Sequence, residues 1–335
     1  MISDTITRPT AGMLDAMMSA NVGDDVFEED PTINQLQSYA AGMFGMEDAL
    51  FCPSGTMTNQ IAINCHTQPL DEMICDVDSH VYQYETGGFA FNSGISVALI
   101  QGHFGKITSD QVEGAIKADK DWLPRTSLVV LENTCNRGGG SYYTLEEIAP
   151  ISNLCREKGL AIHLDGARLF NALVQTGERP EAVGKHFDSI SICLSKGLGA
   201  PVGSLLIGKK TLIKQARRYR KVMGGGMRQA GYLAAAGQYA LENNIERLKV
   251  DNDRAKMIGG ILESKNYVER VKPVASNIVI FDLENETGES FISRLKDKGI
   301  TAAGFGPKTV RFVFHLDIKE NMMDYLVKVL GELEN

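Results

Sequence analysis

The strongest constraint on this fold is a series of short runs that are apolar on both sides. They cover residues 72–76, 95–100, 128–131, 160–164, 190–194 and 204–207. Val, Ile and Leu fill them without a strict polar alternation, as in strands covered on both faces. Amphipathic stretches separate the runs, so the pattern predicts an α/β chain built on a mostly parallel sheet. Helix starts are legible between them. Asp30 precedes Pro31, and Thr108 with Gln111 and Thr144 with Glu147 read as capping boxes.

The pattern changes near residue 250. A helix is expected over 252–264, a strand over 277–281, a helix over 289–298 and a strand over 309–314. A last helix should follow, capped by Asp317 with Glu320 three residues on. Its apolar face would be Met322, Met323, Leu326, Val329 and Leu330. The reading is a large domain over 1–250 and a small α+β domain over 251–335, with a ligand expected between them.

At 335 residues and 43% hydrophobic content, the chain can bury a large core without staples. Net charge is −8 and no long basic block occurs, which argues against a nucleic-acid surface. The short cluster Arg217-Arg218-Tyr219-Arg220-Lys221 suits a helix face or an anion contact. Six cysteines show no CxxC spacing and read as reduced thiols of a cytoplasmic protein. No apolar run approaches the ~18 residues of a membrane span, and no metal site is assigned.

The run 190–194 ends in Ser195-Lys196-Gly197 and then a Gly/Pro loop; the run 160–164 ends in Asp165. In an open α/β sheet both side chains would emerge at the carboxyl ends of strands, where such sheets bind ligands. An amine and a carboxylate facing one crevice meet the needs of pyridoxal phosphate, which takes a lysine at its aldehyde and an acid at its ring nitrogen. The same spacing also fits a surface lysine after a strand and an aspartate capping a helix.

The detail around these residues goes further. Ser3-Asp4-Thr5-Ile6-Thr7-Arg8-Pro9-Thr10, Pro53-Ser54-Gly55-Thr56-Met57, Glu132-Asn133-Thr134, His163-Leu164-Asp165-Gly166-Ala167-Arg168, Ser195-Lys196-Gly197-Leu198-Gly199, Gly224-Gly225-Gly226-Met227-Arg228-Gln229 and Val310-Arg311-Phe312-Val313-Phe314-His315 occur in this order. Together they make the chain resemble the L-threonine aldolase family, in the β-eliminating lyase group. The resemblance runs from about Ser3 to Asp317. It implies the pyridoxal-phosphate-dependent transferase type I fold, with a seven-stranded sheet in the large domain.

The resemblance also implies roles. Lys196 would hold pyridoxal phosphate, Asp165 would partner its ring nitrogen, and His80 would stack on the ring and serve as a base, itself or through water. Ser54, Gly55 and Thr56 would cradle the phosphate; a plain helix cap is the other reading of those three. Arg168 would neighbour the phenolic oxygen and the substrate, or form a salt bridge that orients Asp165. Ser3, with Thr5 beside it, and Arg311 would contact the substrate, Arg311 through its carboxylate. At least one of Lys221 and Arg228 would approach a neighbouring subunit's phosphate in a tetramer built from dimers; solvated charges on a flexible glycine loop are the other reading.

The implied activity is cleavage of L-threonine or L-allo-threonine to glycine and acetaldehyde. Phenylserine cleavage, β-elimination, racemisation, or binding without catalysis are the competing readings. Many relatives carry histidine after Glu-Asn-Thr, where this chain has Cys135. Cys135 is therefore expected at the substrate hydroxyl, and Cys135→His is expected to change the preference between the two Cβ epimers. Phe314 replaces a common threonine, without a sequence-level explanation.

Overall fold

The computed structural model describes residues 1–333. Seven strands form the first sheet: β1 (Asp48–Cys52), β2 (Asp71–Asp76), β3 (Ser96–Ile100), β4 (Arg125–Glu132), β5 (Ala161–Gly166), β6 (Ser189–Cys193) and β7 (Ser204–Gly208). Their spatial order is β1-β7-β6-β5-β4-β2-β3. Only β7 runs against its neighbours. β2, β6 and β7 are buried along their whole length, which explains their lack of alternation. One side of the sheet packs Ile74, Leu131, Leu164 and Ile192 under helices, and the other packs Met73, Cys75, Leu128 and Val130.

β1 escapes the sequence pattern because Asp48-Ala49-Leu50-Phe51-Cys52 contains no β-branched residue. The caps at Asp30, Thr108 and Thr144 form as expected. Asp30 accepts from the amides of Thr32 and Ile33, and Glu147 accepts from the Thr144 amide. Arg220 of the basic cluster is buried in an ion pair with Asp25 at 2.8 Å, and Arg217 faces Glu28. Those cations are thus spent inside the chain.

A second sheet, order β10-β11-β9-β8, is antiparallel throughout: β8 (Val268–Val271), β9 (Ile278–Leu283), β10 (Ala303–Gly304) and β11 (Thr309–Val313). Helices Leu248–Glu263, Gly288–Asp297 and Glu320–Glu332 accompany it. Val310, Phe312 and Phe314 enter a separate core with Phe281, Phe291 and Leu326. Phe314 is therefore a packing residue. Arg311 alternates to the opposite face of β11. The last helix does not use Asp317 as its cap. Lys319 holds that position, while the Asp317 carboxylate accepts from the Arg8 amide.

The amino-terminal segment ties the two sheets together. The Met1 carbonyl accepts from the Val313 amide, and Asp4 reaches both Arg168 and Asn277.

Candidate active site

β5 and β6 are parallel neighbours, and β4 flanks β5. The register pairs Glu132 with Asp165 and Asp165 with Ser191, so the carboxyl ends of three strands lie side by side. Because β7 returns antiparallel, the connection from β6 is the short loop 194–203, and it keeps Lys196 at that same end. Above these ends is a cavity of about 470 Å³. Ser3, His80, Arg168, Lys196 and Arg311 all line it, together with Thr5. They arrive from the amino-terminal segment, three loops or helix ends of the first sheet, and β11 of the second.

Asp165 lies behind this cavity and is buried. Its Oδ1 accepts from the Ala167 amide at 3.2 Å, and its Oδ2 accepts from Asn59 Nδ2 at 2.9 Å. The expected alternative of an Arg168–Asp165 bridge is not formed. Arg168 instead donates twice to Asp4, from Nε and Nη2, each at 2.7 Å. Both partners are buried. Burial alone would raise the Asp4 carboxyl, but the charge and bonds of Arg168 outweigh it and hold Asp4 at about 2.

Arg311 has the opposite state. Nη1 donates to Asn136 Oδ1 at 2.8 Å and Nη2 to the Ile2 carbonyl at 3.3 Å, while Nε is buried without a partner. It forms no ion pair with a described residue. Burial, and next the Arg168 charge, lower its guanidinium to about 10. Its cation lies 4.7 Å from the Phe305 ring centroid. A half-buried guanidinium with spare donors, open to a cavity, is a receptor for a small carboxylate.

His80 is held at two points. Its amide donates to Glu132 Oε2 at 2.7 Å, and its Nδ1 lies 3.0 Å from Glu85 Oε1. Burial acts to lower its pKa, but the hydrogen bond to Glu85 and the charges of Asp165 and Glu85 raise it on balance. Glu132 also accepts from the Asn136 amide, joining the His80 and Asn136 segments. Burial raises the Glu132 carboxyl, and the Asp165 charge adds to that.

Ser54 caps the helix Gly55–His66, its hydroxyl accepting from the Met57 amide. Helix geometry leaves the first amides of this turn without intrahelical partners. A Cβ on Gly55 would lie 2.6 Å from Cys193 Sγ, so only glycine lets this turn sit against the end of β6. Ser54, Gly55 and Thr56 do not line the cavity itself. Neither do Lys221 and Arg228; Arg228 pairs with Asp24 at 2.9 Å.

Cys135 is not placed as expected. It is buried, and its Sγ donates to the carbonyls of Glu132 at 3.1 Å and Gly105 at 3.4 Å. Burial first, then the nearby Glu132 charge, push its thiol well above the usual range. The next residue, Asn136, faces the cavity instead and meets Arg311.

Sequence reasoning missed Asn59, Tyr84, Glu85, Asn136, Arg137 and Phe305. A signal existed for Asn59: Thr58-Asn59-Gln60 is a polar run wholly buried on a helix, which demands partners. These residues fit pyridoxal phosphate. An amine, a buried carboxylate already holding two N–H donors, and a helix start pressed against the sheet end supply the three contacts that group requires.

A family model described as beta-eliminating lyase matches residues 1–286. The chain is 41% identical over 322 residues to a low-specificity L-threonine aldolase of Escherichia coli K12, covering 96% of this chain and 95% of that one. It is 37% identical to low-specificity L-threonine aldolase 1 of Arabidopsis thaliana, covering 96% and 92%. Among solved structures, the Leishmania major threonine aldolase superposes with a TM-score of 0.86 at 25% identity, covering 100% and 99% of the two chains.

Proposed function

The chain belongs to the beta-eliminating lyase family, and from that premise we infer that it is a pyridoxal-phosphate-dependent aldolase cleaving L-threonine and L-allo-threonine to glycine and acetaldehyde. The observation that carries this reading is Arg311. Its half-buried guanidinium meets no carboxylate among the described residues and shares one cavity with Lys196 and His80.

Lys196, Asp165, His80 and the turn at Ser54–Thr56 would hold the cofactor. When bound, pyridoxal phosphate supplies an aldehyde for amines and a ring that withdraws electrons from a bond at Cα. Arg311 would bind the substrate carboxylate and thereby fix the orientation of the bonds at Cα. Asp165 would supply the carboxylate that favours a protonated ring nitrogen. His80, or a water beside it, would take the hydroxyl proton as the Cα–Cβ bond breaks, and return of one proton to Cα completes glycine and leaves the base as it began. Asp4 neutralises Arg168, so the substrate carboxylate meets Arg311 as the uncompensated cation.

Tyr84 and Phe305 line the same cavity, which supports phenylserine as a further substrate. Turnover of threonine, allo-threonine and phenylserine side by side tests both readings. Release of glycine from none of them would refute the aldolase assignment.

The working form would be a cytoplasmic homotetramer, in threonine catabolism and glycine supply. Phe27 and Val222 are 69% and 86% exposed near the loop that carries Lys221 and Arg228. Their apolar exposure supports a subunit contact there, with one of those cations directed to the partner's phosphate site.

A further inference from the structure

Asn59 Nδ2 donates to two carboxylates at once, Asp165 Oδ2 at 2.9 Å and Glu85 Oε1 at 2.9 Å. Its two N–H groups are then used, and its carbonyl oxygen must point away. That oxygen lies 3.2 Å from His163 Nε2, so His163 must carry its proton there. A neutral ring protonated at Nε2 has a bare Nδ1, which accepts from the Ser189 hydroxyl at 2.8 Å. Having given its proton, Ser189 accepts from His66 Nε2, also at 2.8 Å. Burial lowers His163 to about 3 and His66 to about 4, so both rings are neutral and a single tautomer satisfies each. The donors therefore run one way, from His66 to the two carboxylates. A flipped Asn59 amide would set its oxygen against both carboxylates and its nitrogen against an N–H.

Glu85 carries the order onward. Its side chain is fully buried, Oε2 accepts from Gln60 Nε2 at 2.6 Å, and Oε1 faces His80 Nδ1 at 3.0 Å. A carboxylate only accepts, so His80 donates from Nδ1, and when the ring is neutral its Nε2 is a bare lone pair. We propose that Asn59, backed by His163, is a positioning residue that fixes Asp165 and, through Glu85, holds His80 in the tautomer able to take a proton. The role within catalysis rests on the aldolase reading above; the tautomer itself does not. His80, Glu85 and Asp165 also bring ligand atoms within 4.8 Å of one another, a spacing that would suit a cation. The Asn59 amide bridges the two carboxylates and does that work without one.

The test uses the full-length holoenzyme with 15N-labelled histidine. At a pH above its raised pKa, parental His80 should show one pyrrole-like Nδ1 and one pyridine-like Nε2. In Asn59→Leu, of similar volume but without donors, His80 should give averaged shifts, and pyridoxal phosphate should dissociate several-fold more readily. Its kcat should fall at least tenfold with KM for threonine within twofold, because Arg311 is untouched. His163→Gln keeps a donor facing Asn59 and should stay near the parent, whereas His163→Leu should follow Asn59→Leu. If Asn59→Leu does not fold, the His163 pair decides. Equal losses in Gln and Leu variants, an unchanged His80 tautomer in Asn59→Leu, or parental His80 signals that move on adding EDTA would each overturn the proposal. A parent that leaves threonine intact would refute the aldolase reading alone, since the tautomer and cofactor-release measurements still test Asn59.

Discussion

Arg311→Lys keeps the positive charge at the end of β11 but removes the planar fork. In the parent, Nη1 is committed to Asn136 and Nη2 weakly to Ile2, which leaves Nε as the donor without a partner. Nε itself is shielded, so a carboxylate in the cavity would take the Nη edge in two parallel bonds, displacing the weak Ile2 contact. Lysine can supply only a point charge, so one charge-assisted hydrogen bond is lost, worth about 1.5–3 kcal/mol. At ~1.4 kcal/mol per tenfold, kcat/KM for threonine should drop roughly 10- to 150-fold. The loss should lie mainly in KM, because the carboxylate contact exists before and during bond cleavage alike. A smaller fall in kcat accompanies it if the looser carboxylate lets Cα–Cβ rotate away. The assay is acetaldehyde release over a range of threonine concentrations. Kinetics within twofold of the parent, or a fall confined to kcat, would refute the placement of the carboxylate at Arg311.

Asp4→Asn should destabilise the protein by about 3–5 kcal/mol at pH 7, because Arg168 stays buried without its counter-charge. Since Asp4 is held down at about 2, its contribution is present above pH ~4 and fades as pH falls toward ~2, so urea unfolding of parent and variant should converge there. Lys196→Ala should abolish both turnover and the visible absorbance of the lysine-bound cofactor; a retained band would move the attachment site. Cys135→Ala should leave kcat/KM within about twofold. A Cβ on Gly105 would already lie 2.7 Å from Cys135 Cβ. Cys135→His is thus an overpacking change costing ~1–3 kcal/mol in unfolding measurements, and it should not tune epimer preference.

The sequence by itself determined the layers and pointed to several of the residues that line the cavity. Period and capping are local, so the buried strands, the caps at Asp30, Thr108 and Thr144, and the positions of Lys196 and Asp165 at strand ends could be read directly. The family resemblance, not spacing, pointed to His80 and Arg311. Tertiary structure decided which polar groups pair. Asp4 meets Arg168 across 164 residues, Asn59 meets Asp165 across 106, and Arg311 meets Asn136 across 175. No local pattern encodes such partners, because they follow from the order of strands in the sheet and the antiparallel return of β7. Adjacent residues also diverged for that reason. The thiol of Cys135 packs down onto two carbonyls, while Asn136 turns into the cavity, and only the meeting of β4 with its neighbours fixes which of the two faces that cavity.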